Sequence, residues 1–192
     1  MRFIHPFEYM SDNWQLACKR AKTKPCSFCN CSGCFKNHGF LRGVHPDKHL
    51  LEIRGIRFLC SDRHGNKGCG RTFSILFNHI LPRHSTRSTH LRDFFDNLLN
   101  FNNVHAAWYH SAVPFSLRTA YAWLKKLKAS QAVIRSNIRA VPHDHLGITQ
   151  APHLTTIGLI RKLSRLSNDY IANYQQRHQT AFFLPKAIIQ SS

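Results

Sequence analysis

Two kinds of hydrophobic pattern divide this chain. Before residue 80 the apolar positions come in short runs: Phe40-Leu41, Leu50 to Leu59 (LLEIRGIRFL) and Thr72 to Phe77 (TFSILF). Runs of that length, rich in β-branched and aromatic side chains, predict three short strands, with bends or bulges at Gly39, Gly43 and Gly55. A short helix over residues 8–22 precedes them, capped by Ser11 or Asp12 and burying Trp14, Leu16 and Ala17. Cys18 within it reads as a small buried hydrophobe.

After residue 80 the period becomes helical. His90 to Asn100 sets Leu91, Phe94, Phe95, Leu98 and Leu99 on one face, with caps supplied by Ser85 to Thr89. Val104 to His110 predicts a second, short helix with Ala107 and Trp108 inward. Ser116 is a good N-cap for a third helix reaching about Ala140. Its stripe of Leu117, Ala120, Tyr121, Leu124, Leu127, Ile134 and Ile138 reads as core, and Trp123 is assigned to the core as well. His153 to Ser167 predicts a fourth helix that buries Leu154, Ile157, Ile160 and Leu163, widened by Leu159 and Leu166. Asn168 to Thr180 predicts a fifth.

The cysteines give the first half its chemistry. Six of seven fall between Cys26 and Ser74, in the knots CSFCNCSGC and CSDRHGNKGCG. Zn²⁺ takes four thiolate or imidazole donors in a tetrahedron, and a sheet this small has too little core to fold without help. Two thiol knots at hairpin ends therefore read as a zinc ribbon. Cys26, Cys29, Cys60 and Cys69 are the favoured ligands. The pair Cys31 and Cys34 is equally well spaced, and the wide Cys60–Cys69 gap leaves His64 open as a substitute donor. The chain then divides into an N-terminal helical arm (1–25), a zinc ribbon (26–80), an all-helical domain (81–141) and a C-terminal helical extension (142–192). The fold class is α+β: a small N-terminal β zinc ribbon followed by an all-α, helix-turn-helix-containing domain, with residues 81–141 expected to bind DNA.

Charge changes the picture most. The chain has 27 Lys and Arg against 9 Asp and Glu, a net charge of +18, and the excess is spread over both halves. Such a chain repels itself unless a polyanion is its usual partner, which makes nucleic acid the leading candidate. From Asn97 through His143 no residue is acidic, although a solvated helix normally mixes signs for i,i+4 pairing. No apolar run reaches the ~18 residues of a membrane span. The N-terminus lacks the order of a secretion signal. Reduced thiols and a cytoplasmic, nucleoid-associated protein are therefore expected.

Two stretches resemble a known family. Cys26-Ser27-Phe28-Cys29, His38-Gly39-Phe40-Leu41-Arg42, Arg57-Phe58-Leu59-Cys60 and Cys69-Gly70-Arg71-Thr72-Phe73-Ser74 together resemble the N-terminal zinc ribbon of bacterial insertion-sequence transposases. The register of the first CxxC against His38-Gly39 in such ribbons selects Cys26 and Cys29 over Cys31 and Cys34. Ser116, Arg118, Thr119, Tyr121, Trp123 and Lys125 are similar to the recognition-helix region of transposase helix-turn-helix domains. The resemblance implies that Arg118, Thr119 and Ala122 face bases, while Lys125, Lys126 and Lys128 hold phosphates. Arg135, Arg71 and Arg42 complete the nucleic-acid-binding set. The implied partners are double-stranded DNA, and a catalytic transposase subunit or a second copy of the chain.

Catalysis is not expected. Acidic-triad strand transfer needs three carboxylates for two Mg²⁺ ions, and beyond the ribbon only Asp93, Asp96, Asp144 and Asp169 are present. Asp93 and Asp96 read as helix-start dipole and cap chemistry. A tyrosine-type single-strand nuclease would draw on His143-Asp144-His145 with Tyr170 and Tyr174, but no strand pattern surrounds His143. The alternatives kept are that nuclease and an RNA-binding or ribosome-associated zinc-ribbon protein.

Overall fold

The computed structural model describes residues 2–5, 12–62, 67–139 and 155–183. It is an α+β chain that divides into two compact units, Met1–Ser85 and Thr86–Ser192. No helix among the described residues is long and apolar enough to cross a membrane.

In the first unit, helix α1 (Asp12–Thr23) lies between β1 (Arg2–His5) and the three strands β2 (Phe35–Val44), β3 (Leu51–Cys60) and β4 (Thr72–Phe77). The sheet order is β1-β4-β3-β2; β2, β3 and β4 run antiparallel, and β1 pairs parallel with β4. Strand β4 therefore has a neighbour on each side, which suits its nearly continuous apolar sequence. One face of the sheet packs Ile56, Phe58, Phe73, Ile75 and Phe77 against Trp14 and Ala21 of α1. Phe58 stacks on Phe73 at 4.9 Å, and Trp14 meets Phe77 edge-on at 5.2 Å. Cys18 packs at the border of this core. Gly55 is required by close approach: a Cβ there would run into the Ile75 carbonyl of β4.

Three readings change here. The apolar pair Phe40-Leu41 is only the middle of a ten-residue strand, because β2 is held by backbone pairing to β3 while most of its side chains stay exposed. Strand β1 has no sequence signature of its own, since RFIH is short and shows no alternation. Leu16, expected in the core, faces outward.

The second unit is helical: α2 (Ser88–Phe101), α3 (Val104–Tyr109), α4 (Leu117–Arg139), α5 (Thr156–Ser164) and α6 (Tyr170–His178). Its core is aromatic. Trp123 of α4 meets Trp108 of α3 at 5.4 Å and Phe94 of α2 at 5.9 Å, and Phe95 reaches Phe182 at 6.4 Å. Helix α4 buries Ala120, Trp123, Leu127, Ser130, Ile134 and Ile138, a stripe at three- and four-residue steps. Tyr121, expected on that stripe, is 49% exposed; one step round the helix from Ala120, its ring lies near His105 instead. Three caps are built as the residue types suggest: Asn103, Thr155 and Asp169 each accept an N–H from the first turn of α3, α5 and α6. Helix α2 differs. Arg87 occupies its N-cap position and makes no side-chain cap bond, so Ser85 to Thr89 do not cap it as expected. Helix α5 ends at Ser164, two residues before Leu166, which is exposed rather than core.

Candidate metal centre and basic surfaces

The first cysteine knot is a turn. The Cys26 N–H donates to the Cys31 carbonyl, the Asn30 N–H donates to the Cys26 carbonyl, and Asn30 takes the left-handed φ of 58° that such a turn needs. The second knot closes differently. The Gly70 N–H donates to the Cys60 carbonyl and the Cys60 N–H to the Arg71 carbonyl, both at 2.9 Å. Gly70, at φ 71°, supplies the left-handed step beside Cys69. These bonds bring Cys60, at the end of β3, next to Cys69, just before β4. The neck of this hairpin is thus closed despite the wide spacing in sequence.

The result is a four-thiol cluster. The sulfurs of Cys26, Cys29, Cys60 and Cys69 all lie within 4.8 Å of one another. Cys26 Sγ is 3.7 Å from Cys69 Sγ, and Cys29 Sγ is 3.6 Å from Cys60 Sγ. A tetrahedron with metal–sulfur bonds of about 2.3 Å has edges of about 3.8 Å. Those two separations fit that figure. The four cysteines are close enough to hold a metal ion, and four thiolates so placed suit zinc or an iron–sulfur centre. Burial raises the Cys26 thiol, but the Phe28 and Cys29 N–H groups and the neighbouring thiols bring it down to about 7. Burial and the thiols of Cys29 and Cys26 push Cys60 up to about 12, against the N–H of Cys69. The thiols thus share hydrogen bonds and charge, and a bound cation would displace the protons the cluster still holds.

The remaining pair stands apart from the four. Against the expectation of reduced thiols throughout, Cys31 and Cys34 are bonded to each other, with Cα atoms 6.0 Å apart. Cys34 is nevertheless buried against Cys26 and Cys60, so it packs beside the cluster. His64, the alternative donor, lies outside the described residues. Arg71 sits over the Phe28 ring at 4.5 Å, which fixes its side chain beside the first knot while leaving its charge intact. Arg42 is exposed on β2.

No protein-family model, no curated protein and no solved structure matches this chain.

In the helical unit, Arg118, Ala122 and Lys125 lie on the side of α4 opposite its buried stripe and are exposed, as is Lys128. Thr119, Lys126 and Arg135 are half-buried, and Arg135 donates to Gln131 one turn earlier at 2.9 Å. The connection from α3 to α4, residues 110–116, is longer than the three or four residues of a tight helix-turn-helix. Only the α2–α3 joint, at Asn102 and Asn103, is tight.

The acidic groups and tyrosines have structural work. Asp93 and Asp96 lie beyond the first turn of α2 and do not act there as dipole or cap groups. Asp93 pairs with Arg92 at 3.1 Å, and Asp96 accepts the Tyr170 hydroxyl at 3.1 Å, tying α6 to α2. Burial, followed by the Asp96 charge and its hydrogen bond, pushes the Tyr170 phenol well above its usual range. The Tyr174 hydroxyl accepts from Asn137 of α4 at 2.7 Å. With 3% and 5% exposure, neither phenol is open to a phosphodiester. His143, Asp144 and His145 lie outside the described residues.

Proposed function

We propose that this chain is a zinc-containing, duplex-DNA-binding protein of the transposase type that does not itself cut or join strands. The four-cysteine cluster would hold Zn²⁺ as a folding element, a closed site with no open coordination position for chemistry. Its four ligands would all be thiolates, and a small β unit would gain folding free energy from the bond. Helix α4 would carry the main DNA contact, with Arg118, Thr119 and Ala122 toward bases and Lys125, Lys126 and Lys128 toward phosphates. Arg135, Arg71 and Arg42 would add backbone contacts.

One observation carries this reading. The exposed side of α4 presents Arg118 and Lys125 with no acidic residue anywhere in the helix or in the sequence flanking it from Asn97 to His143. A one-sign helix face in a chain of net charge +18 is favourable only beside a polyanion. On this reading the element would be a helix-turn-helix variant with a loose, seven-residue turn before α4.

The test is competition for the zinc-loaded chain between a labelled DNA duplex and unlabelled structured RNA. The reading expects the duplex to be bound with a steep salt dependence and to be displaced poorly by RNA. Equal displacement by an RNA hairpin would transfer the protein to the RNA-binding class. Strand nicking in Mg²⁺ or Mn²⁺ would contradict the non-enzymatic part.

A further inference from the structure

Within the first unit, β2, β3, β4 and the turn that follows β4 enclose an open cleft of about 310 Å³. Arg42, Arg57 and Arg83 all line it, and none of its lining side chains is a carboxylate. Among the described residues, none of these three arginines has an ion-pair partner. Glu52, on β3, pairs with Arg54. The Arg54 guanidinium donates to Glu52 Oε1 at 3.1 Å, to the Val44 carbonyl at 2.6 Å and to the His84 carbonyl at 2.9 Å. Arg54 is thus a staple, joining the β2–β3 hairpin to the turn at His84 and holding the cleft walls at a fixed separation. Arg83 adds a second signal. Its backbone stands at φ 67°, a left-handed conformation that a long side chain seldom takes.

Three uncompensated guanidinium groups around one concavity repel each other, and a bound anion removes that repulsion. The donor geometry narrows the class of anion. Guanidinium forks match phosphate oxygens in bidentate fashion, and several forks around one centre suit a group with oxygens on every side. The apolar floor, with Leu76 and Leu81 buried, strengthens those contacts by lowering the local dielectric.

We infer that this cleft is a phosphate-binding site, and that its occupant is a backbone phosphodiester of the nucleic acid. The site rests on the DNA-binding reading above but uses residues which that reading does not, since Arg57 and Arg83 belong to neither the cysteine cluster nor α4. It gives the cysteine-bearing unit its own grip on the backbone. Arg42, Arg57 and Arg83 supply the attraction, and Arg54, whose donors are taken by Glu52 and two carbonyls, positions the walls.

The experiment uses the full zinc-loaded chain and a duplex closed by a hairpin loop at each end, so that only internal phosphodiesters are offered. The double variant Arg57→Gln/Arg83→Gln is compared with wild type and with Lys125→Gln over a salt series. Removing two phosphate contacts is expected to weaken binding about tenfold and to lower the salt slope by about two. Zinc content and far-UV circular dichroism should stay those of wild type, because both side chains are exposed. Unchanged affinity and slope in the double variant, with both reduced in Lys125→Gln, would overturn the cleft and leave the DNA reading standing. If wild type does not bind the duplex at all, the DNA reading falls, and inorganic phosphate decides the cleft. Shifts of the Arg57 and Arg83 Nε–H resonances in millimolar phosphate would keep the site and reassign its source to a free phosphate. Absence of those shifts would end it.

Discussion

The unit from Met1 to Ser85 and the unit from Thr86 to Ser192 both bury aromatic rings, but they do so with different reserves. In the helical unit Phe94, Phe95, Trp108, Trp123 and Phe182 make an interlocked cluster reached from α2, α3, α4 and the chain after α6. In the β unit the aromatic core is confined to one side of a four-stranded sheet under a single helix. The other end of that sheet is held by four sulfurs. A core of the first kind is sufficient by itself. A core of the second kind borrows stability from whatever the sulfurs bind, because a small sheet buries too little surface to offset its own ordering entropy.

That contrast can be broken from either side. The largest effect is expected from stripping metal with a strong chelator, or from Cys60→Ser. Metal binding in small thiolate sites contributes on the order of 10 kcal/mol of folding free energy. Hydrogen exchange should then show lost protection in β2, β3 and β4, with α2 and α4 still protected. Uniform loss across both units would mean that the helical unit does not stand on its own core. Next in size is Trp123→Ala, which empties the centre of the helical cluster at an expected cost of about 3–5 kcal/mol. Chemical denaturation should register that loss while zinc content stays unchanged.

Gly55→Ala sharpens the comparison within the sheet. The added methyl meets the Ile75 carbonyl, so a cost of about 1–3 kcal/mol is expected in the β unit alone. Smallest is Tyr170→Phe, which removes one hydrogen bond to Asp96 and should cost about 1 kcal/mol in thermal unfolding of the helical unit. A null result there would make the α2–α6 tie ornamental.

Much of this architecture is legible in the sequence because each half announces its own period. The runs LLEIRGIRFL and TFSILF locate β3 and β4 within a residue or so, and the steps from Ala120 to Ile138 locate the buried side of α4. The convergence of two thiol knots is legible because cysteines clustered at both ends of a strand pair can meet across the hairpin, whereas spacing alone leaves Cys31 and Cys34 as an equal choice and only the resemblance favours Cys26 and Cys29. The rest depends on partners that a linear pattern does not contain. Strand β1 exists only because β4 offers it an edge. The exposure of Tyr121 follows from which side of α4 meets α3 and α5, a choice that the broad apolar stripe leaves open. The arginines of the cleft are scattered over β2, β3 and the turn after β4. Only the register Arg57↔Ser74 and Gly55↔Leu76, together with the Arg54 bond to His84, gathers them.

The account stands most directly on the metal content of the intact chain. Native mass spectrometry on wild type, Cys29→Ser and Cys31→Ser/Cys34→Ser should find one zinc per chain in wild type and in the double variant, and none in Cys29→Ser. Zinc kept in Cys29→Ser and lost when Cys31 and Cys34 are replaced would show that the other pair holds the ion, and would contradict the assignment.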